Sequence, residues 1–155
     1  MRLEWIVVGG FILAAPLLAQ SHGKADVFSA RDVKAKLASL APQARTAGSS
    51  GFTLADYGSH KVQLSERTSS GGAEMHAHFD DVMIVEQGSA TLITGGTMIA
   101  PKTEEDGETK GTGIRGGTTR TITAGDVVTV NAGVPHQLLI PAGTLYSALV
   151  IKVRE

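Results

Sequence analysis

From Gly51 onward the chain alternates apolar and polar residues in short runs, and glycine or proline interrupts those runs at near-regular intervals. A period of two puts every second side chain on one face of an extended strand. Phe52-Thr53-Leu54-Ala55-Asp56-Tyr57 and Lys61-Val62-Gln63-Leu64-Ser65-Glu66-Arg67 follow it, with Gly58-Ser59 between them. The same pattern predicts strands over 74–79, 81–87, 89–94, 118–123, 126–130, 134–140 and 144–153. Breaks fall at Gly88, Gly95-Gly96, Gly125, Gly133 and Pro141-Ala142-Gly143. Runs this short cannot enclose a core singly, so the pattern predicts an all-β, antiparallel sandwich or barrel. Residues 97–117 are polar and glycine-rich, which predicts a mobile loop or an elaborated hairpin.

Upstream the period changes. Residues 29–40 carry Val33, Leu37 and Leu40 at helical spacing, Ser29 and Asp32 form a capping-box-like start, and Pro42 follows the expected end. A short amphipathic helix packed on a sheet is the expectation. Before it, Met1-Arg2 precedes an apolar run from Trp5 to Ala19, shorter than the roughly 20 residues a spanning helix needs. That three-part form predicts a signal peptide over 1–19, cleaved after Ala19, and a secreted or periplasmic protein with no stable membrane association afterwards. The expected organisation is therefore 1–19 leader, 20–50 extension with the helix, and 51–155 β domain. A net charge of -1 and the lack of any basic cluster argue against a nucleic-acid partner. There is no cysteine, so thiolate ligands and disulfides are excluded.

The chemistry-bearing residues are the histidines. Of five, two stand as His76-Ala77-His78 just before Asp80 and Asp81, and a third, His136, ends a glycine- and proline-containing segment. On a strand His76 and His78 share a face, and a distant histidine with a nearby carboxylate can complete a metal site. Residues 72–88 read Gly-Ala-Glu-Met-His-Ala-His-Phe-Asp-Asp-Val-Met-Ile-Val-Glu-Gln-Gly, and residues 125–136 read Gly-Asp-Val-Val-Thr-Val-Asn-Ala-Gly-Val-Pro-His. In this order the two segments resemble the paired motifs of the cupin superfamily, in a small single-domain form. The resemblance implies a jelly-roll β-barrel with a short N-terminal helix. It also implies one divalent transition-metal ion (Fe, Mn, Ni, Cu or Zn) held by His76, His78, Asp81 and His136. Asp81 stands where the family has glutamate, although its neighbour Asp80 could turn inward instead. Asn131 replaces the usual proline, which should affect the loop rather than the ligands.

Other residues receive blander expectations. Glu86 has the wrong parity for the site and is expected to be structural. Glu74 shares parity with both histidines but is expected at a solvated strand end, and His60 is expected to be exposed. His22 would lie third from the new terminus Gln20-Ser21-His22, a pattern that can wrap Cu(II) or Ni(II). Met83, Val85, Leu138 and Ile140 are expected to line the barrel. Arg67 or Arg120 could meet an anionic ligand at its mouth, surface charge being the alternative. The resemblance implies an exported metal-binding protein that is either a metalloenzyme, of oxygenase (dioxygenase-like) or lyase type, acting on a small organic molecule, or a non-catalytic, metal-anchored binding or sensing module. Fold alone does not choose between them. It further implies a homodimer.

Overall fold

A computed structural model describes residues 25–155. The expected leader, and with it Trp5, Gln20 and His22, lies outside the described residues. In chain order the elements are α1 (Ala30–Ala47), β1 (Ser49–Asp56), β2 (His60–Arg67), β3 (Ala73–His76), β4 (Phe79–Gln87), β5 (Ser89–Thr94) and β6 (Thr97–Ile99). There follow β7 (Lys102–Thr103), β8 (Glu108–Gly111), β9 (Gly113–Arg115), β10 (Thr118–Thr123), β11 (Val127–Val130), β12 (His136–Leu139) and β13 (Tyr146–Arg154). One five-stranded sheet runs β1-β2-β13-β4-β11, a six-stranded sheet runs β10-β5-β12-β3-β8-β7, and β6 pairs with β9. All pairings are antiparallel. The main core draws on both large sheets, joining Met83, Val85, Tyr146 and Ala148 to Ala90, Leu92 and Ile122. This is the all-β, antiparallel architecture that the alternation predicts, in the jelly-roll form with one N-terminal helix that the resemblance implies.

Helix α1 runs past its expected end, with Pro42 inside it. Proline removes one backbone hydrogen bond and costs a helix interior about 3 kcal/mol in an exposed setting. Here the buried stripe continues beyond it through Ala41 and Ala44, and Gly48 closes the helix at φ 85° by donating its N–H to the Ala44 carbonyl at 2.8 Å. The Thr68 hydroxyl also donates to that carbonyl, and the Gly48 carbonyl accepts from Thr68 and Ser69. Tertiary anchoring thus carries the helix through a residue that would end it in isolation. At the other end Ser29 is the N-cap, accepting from the Asp32 amide. Val33 and Leu37 pack on Leu64, with Leu54 and Leu149 beside them.

Residues 97–117, expected as a mobile loop or hairpin, form four short strands, β6 to β9, joined to one another and to β3. Polar composition concealed them because β7 is exposed throughout and β6 and β9 are at most half-buried.

Parity organises the five-stranded sheet. Leu64 and Glu66 of β2 and Ser147 and Leu149 of β13 face α1, whereas Arg67, Lys152, Tyr146, Asp81 and Met83 face the barrel interior. Glu66 is 1% exposed, and its Oε2 has no hydrogen-bond partner. Burial raises its pKa, against a Ser147 hydrogen bond and the Arg45 charge, which lower it. A carboxyl with a raised folded-state pKa supports the fold at acid pH and loses that support as pH rises through the folded value. Glu66→Gln should therefore raise Tm by a few degrees at pH 8 and leave it unchanged at pH 4. Calorimetry showing equal shifts at both pH values would exclude buried charge as the cause.

Candidate metal centre

Four register pairs build the site. His136 on β12 stands opposite Glu74 on β3, and His76 on β3 stands opposite Glu108 on β8. Across the other sheet, Lys152 on β13 stands opposite Asp81 on β4, and Tyr146 opposite Arg67 on β2. Directly opposed residues bring their side chains within reach, so sheet register alone assembles these contacts. The two motifs are also tied through the backbone. The Gly133 N–H donates to the His76 carbonyl at 2.8 Å, and the Ala132 N–H to Asp80 Oδ1 at 2.7 Å. Asp80 is thereby a brace for the loop that presents His136, and Asp81 is the carboxylate that turns inward. The loop that carries Asn131, which loss of the proline was expected to alter, is held by these two bonds.

His76, Asp81 and His136 are 5%, 5% and 6% exposed. The two rings meet edge-on with centroids 5.1 Å apart. Asp81 Oδ2 lies 3.2 Å from His76 Nε2 and 3.8 Å from His136 Nε2. Glu74, His76 and His136 each offer a ligand atom within 4.8 Å of the other two. Glu74, expected at a solvated strand end, is half-buried and belongs to the cluster because β12 covers it. His78 does not join. Strand β3 ends at His76, Ala77 and His78 form a bend, and β4 begins at Phe79. The two-residue periodicity that would aim His78 beside His76 therefore does not hold. The His78 side chain is exposed and lies over Gly107 at the cavity rim, where even a Cβ on that glycine would come within 2.9 Å of the ring.

Two residues that sequence reasoning missed complete the arrangement. Glu108 accepts from His76 Nδ1 in a short hydrogen bond. Lys152 Nζ lies 2.8 Å from His76 Nε2 and 2.9 Å from Asp81 Oδ1. Lys152 was legible in principle, since Tyr146, Ala148, Val150 and Lys152 alternate along one face of the last strand; Glu108 sat in a segment with no readable period. With Nδ1–H given to Glu108, a neutral His76 presents Nε2 as an acceptor to Lys152, whereas the protonated ring donates from Nε2 to Asp81 Oδ2. The Nδ1 of His136 is likewise 3.2 Å from the Val134 carbonyl, which leaves its Nε2 free toward the cavity.

The charges follow from these contacts. Burial favours a neutral His76, but the Asp81 hydrogen bond and charge outweigh it and raise the pKa. Burial lowers that of His136, only partly offset by the Val134 bond. For Asp81 burial acts upward, yet His76 and Lys152 together hold the carboxyl below its ordinary range. The cavity beside these groups measures about 1110 Å³. Met83 and Leu138 line it as expected, whereas Val85 and Ile140 are buried in the core and do not line it. Arg67 lines it; Arg120 is exposed on β10. Glu86 is exposed, and His60, half-buried, stacks on Tyr57 at 4.7 Å, away from the site.

Neither a family model nor a curated protein matches the chain. Solved structures do. A Klebsiella pneumoniae protein with a double-stranded β-helix domain is 14% identical, with 84% of this chain and 90% of that one covered at TM-score 0.58. The Cnp3 cupin domain of Schizosaccharomyces pombe is 10% identical over 69% of this chain and 65% of that one, TM-score 0.52. A predicted oxalate decarboxylase from Thermotoga maritima is 13% identical over 69% and 81%, also at 0.52. The chain spans only 46% to 65% of the length of several other structures it matches. At such identities the likeness is one of fold, and it agrees with the sheet order and the two ordered motifs: the chain is a cupin-fold, double-stranded β-helix domain.

Proposed function

We propose that this protein is an exported, metal-dependent cupin acting on a small organic molecule in its barrel. The observation that carries the reading is the convergence of His76, His136, Glu74 and Asp81 at the wall of a large cavity. Two imidazoles and two carboxylates suit a divalent transition metal, and the hydrogen bonds that the Nδ1–H groups donate to Glu108 and to the Val134 carbonyl hold both rings in the tautomer that offers Nε2. His78, carried by the family resemblance, has no part in this set. A bound ion would supply Lewis acidity toward a carbonyl or water and, if redox-active, oxygen chemistry. The protein's own contribution is to place ligands, to exclude water with Met83, Leu138 and Val150, and to hold a lysine ammonium at the reacting centre. Destination outside the cytoplasm rests on the leader expected at 1–19.

Lys152 gives some weight to a second reading, a non-catalytic binding module, because its ammonium engages two of the donor groups. Ion and ammonium would compete for His76 Nε2 and Asp81. Lys152→Met should therefore strengthen Mn²⁺ or Zn²⁺ binding about tenfold in titration calorimetry, the scale of one hydrogen bond to a charged group. Unchanged affinity would show that Lys152 swings away without cost. The main test is elemental analysis of purified protein with calorimetric titration of Mn²⁺, Fe²⁺, Ni²⁺, Cu²⁺ and Zn²⁺. One ion per chain is expected, and absence of binding by all five would refute the proposal. Turnover of a small molecule by the loaded protein separates the enzyme from the binding module, which would show stabilisation alone.

A further inference from the structure

Among the described residues, two polar groups on the cavity wall, the Tyr146 hydroxyl and the Arg67 Nε–H, have no hydrogen-bond partner. Tyr146 is 0% exposed, and its hydroxyl makes no hydrogen bond. Arg67 stands opposite it across β2 and β13, and its buried Nε–H is equally unpartnered. The guanidinium's ion-pair neighbour is Glu74, 3.9 Å from Nη2 and beyond hydrogen-bond reach. A Cβ on Gly71 would sit 2.7 Å from Nη1, so the glycine makes room for the guanidinium. Buried donors without acceptors are costly and rare, and two side by side in one cavity are rarer still. Both residues line the same cavity as His76 and His136. Burial raises the Tyr146 pKa to about 12, with the Arg67 charge lowering it in part, so the phenol stays a neutral donor beside a fixed cation.

The fixed charge of Arg67 favours an anion here, and one with two oxygens gives one to the guanidinium and one to the hydroxyl. A carboxylate has that shape and charge. Next along the same face of β13 come Ala148 and Val150, small apolar residues that leave space for a carbon skeleton. Glu74 lies between the two regions, 3.9 Å from Arg67 on one side and within 4.8 Å of the imidazole ligand atoms on the other. A molecule of a few carbons anchored at Arg67 would therefore place its far end at the histidines. We propose that Arg67 and Tyr146 form a carboxylate-binding subsite, so that the molecule taken by this cavity is a small organic acid. The inference rests on the cavity being the working site, and it assigns the end of the ligand remote from the metal centre.

The test uses straight-chain monocarboxylates from acetate to hexanoate, the matching primary amides, and inorganic phosphate, titrated calorimetrically into the full chain. At least one carboxylate should bind, and its amide should bind at least about tenfold more weakly. Arg67→Met and Tyr146→Phe should each weaken that carboxylate about tenfold or more, while Mn²⁺ affinity stays within about threefold. Tyr146→Phe removes only an unpaired buried hydroxyl and should keep or raise Tm, so loss of binding there cannot be ascribed to unfolding. Should Arg67→Met fail to fold, Arg67→Lys keeps the charge, lacks the planar fork and should show the same loss. His78→Ala, outside the ligand set, should bind the carboxylate as the wild type does. Carboxylate binding that survives in the Arg67 and Tyr146 variants but disappears in His76→Ala would place the ligand on the metal, overturning the subsite and leaving the metal reading intact. Subsite binding in a protein that takes up no metal would do the reverse. Binding of phosphate alone, or of none of the carboxylates, would overturn the inference.

Discussion

His76→Ala and His136→Ala should each lower divalent-metal affinity by at least about a hundredfold, whereas His78→Ala should leave it within about twofold. The contrast follows from where β3 stops. His76 and His136 are buried, share the cavity with two carboxylates, and have their outer nitrogens engaged by Glu108 and the Val134 carbonyl. Removing either imidazole deletes a donor and leaves its hydrogen-bond partner behind without a replacement. His78 sits past the strand end in a bend, exposed above Gly107. Calorimetric titration with Zn²⁺ or Mn²⁺ distinguishes the cases directly. A His78→Ala loss as large as the other two would mean that the bend re-forms as strand on binding, bringing the ligand set back to that of the family motif. An unchanged His76→Ala would end the metal proposal.

Why the fold was legible and the site only partly so comes down to what a period of two can report. Alternation marks which residues share a face for as long as the strand continues, and on β4 it sorted the two rows correctly. It placed Asp81, Met83 and Val85 on one side and Glu86 on the other, as found. It failed at His78 because nothing in Met75-His76-Ala77-His78-Phe79 signals a break: no glycine or proline stands there. The interruption comes from tertiary contacts, the Ala77 N–H donating to the Gly107 carbonyl and the Glu155 N–H to that of His78. Glu108 was hidden for a related reason, and the parity of Glu74 and Lys152, though readable, did not show what they would face. Each enters the site through its cross-strand partner, and register between distant strands is not written in local pattern. Pro42 shows the converse, a strong local stop signal overridden by burial of Ala41 and Ala44 and by the Gly48 cap.

Gly88→Ala should cost about 3 kcal/mol or more and lower Tm by roughly 10 °C. Gly88 ends the first motif and turns the chain from β4 in one sheet into β5 in the other. Its φ is 77°, a region that costs an L-residue about 1–2 kcal/mol. A Cβ there would also lie 2.4 Å from the Leu145 carbonyl oxygen and 3.2 Å from Thr144 Cγ2. Backbone cannot rotate aside as a side chain can, so relief requires moving the turn before β13, and with it Tyr146. Gly58→Ala is the control, because φ is nearly the same at 78° but nothing lies within 4 Å of the added atom. It should lose only the conformational part, about 1–2 kcal/mol. Urea denaturation of both variants isolates the steric contribution as their difference. Equal losses would show that the Leu145 segment yields freely, and that the glycine is needed for its dihedral angle alone.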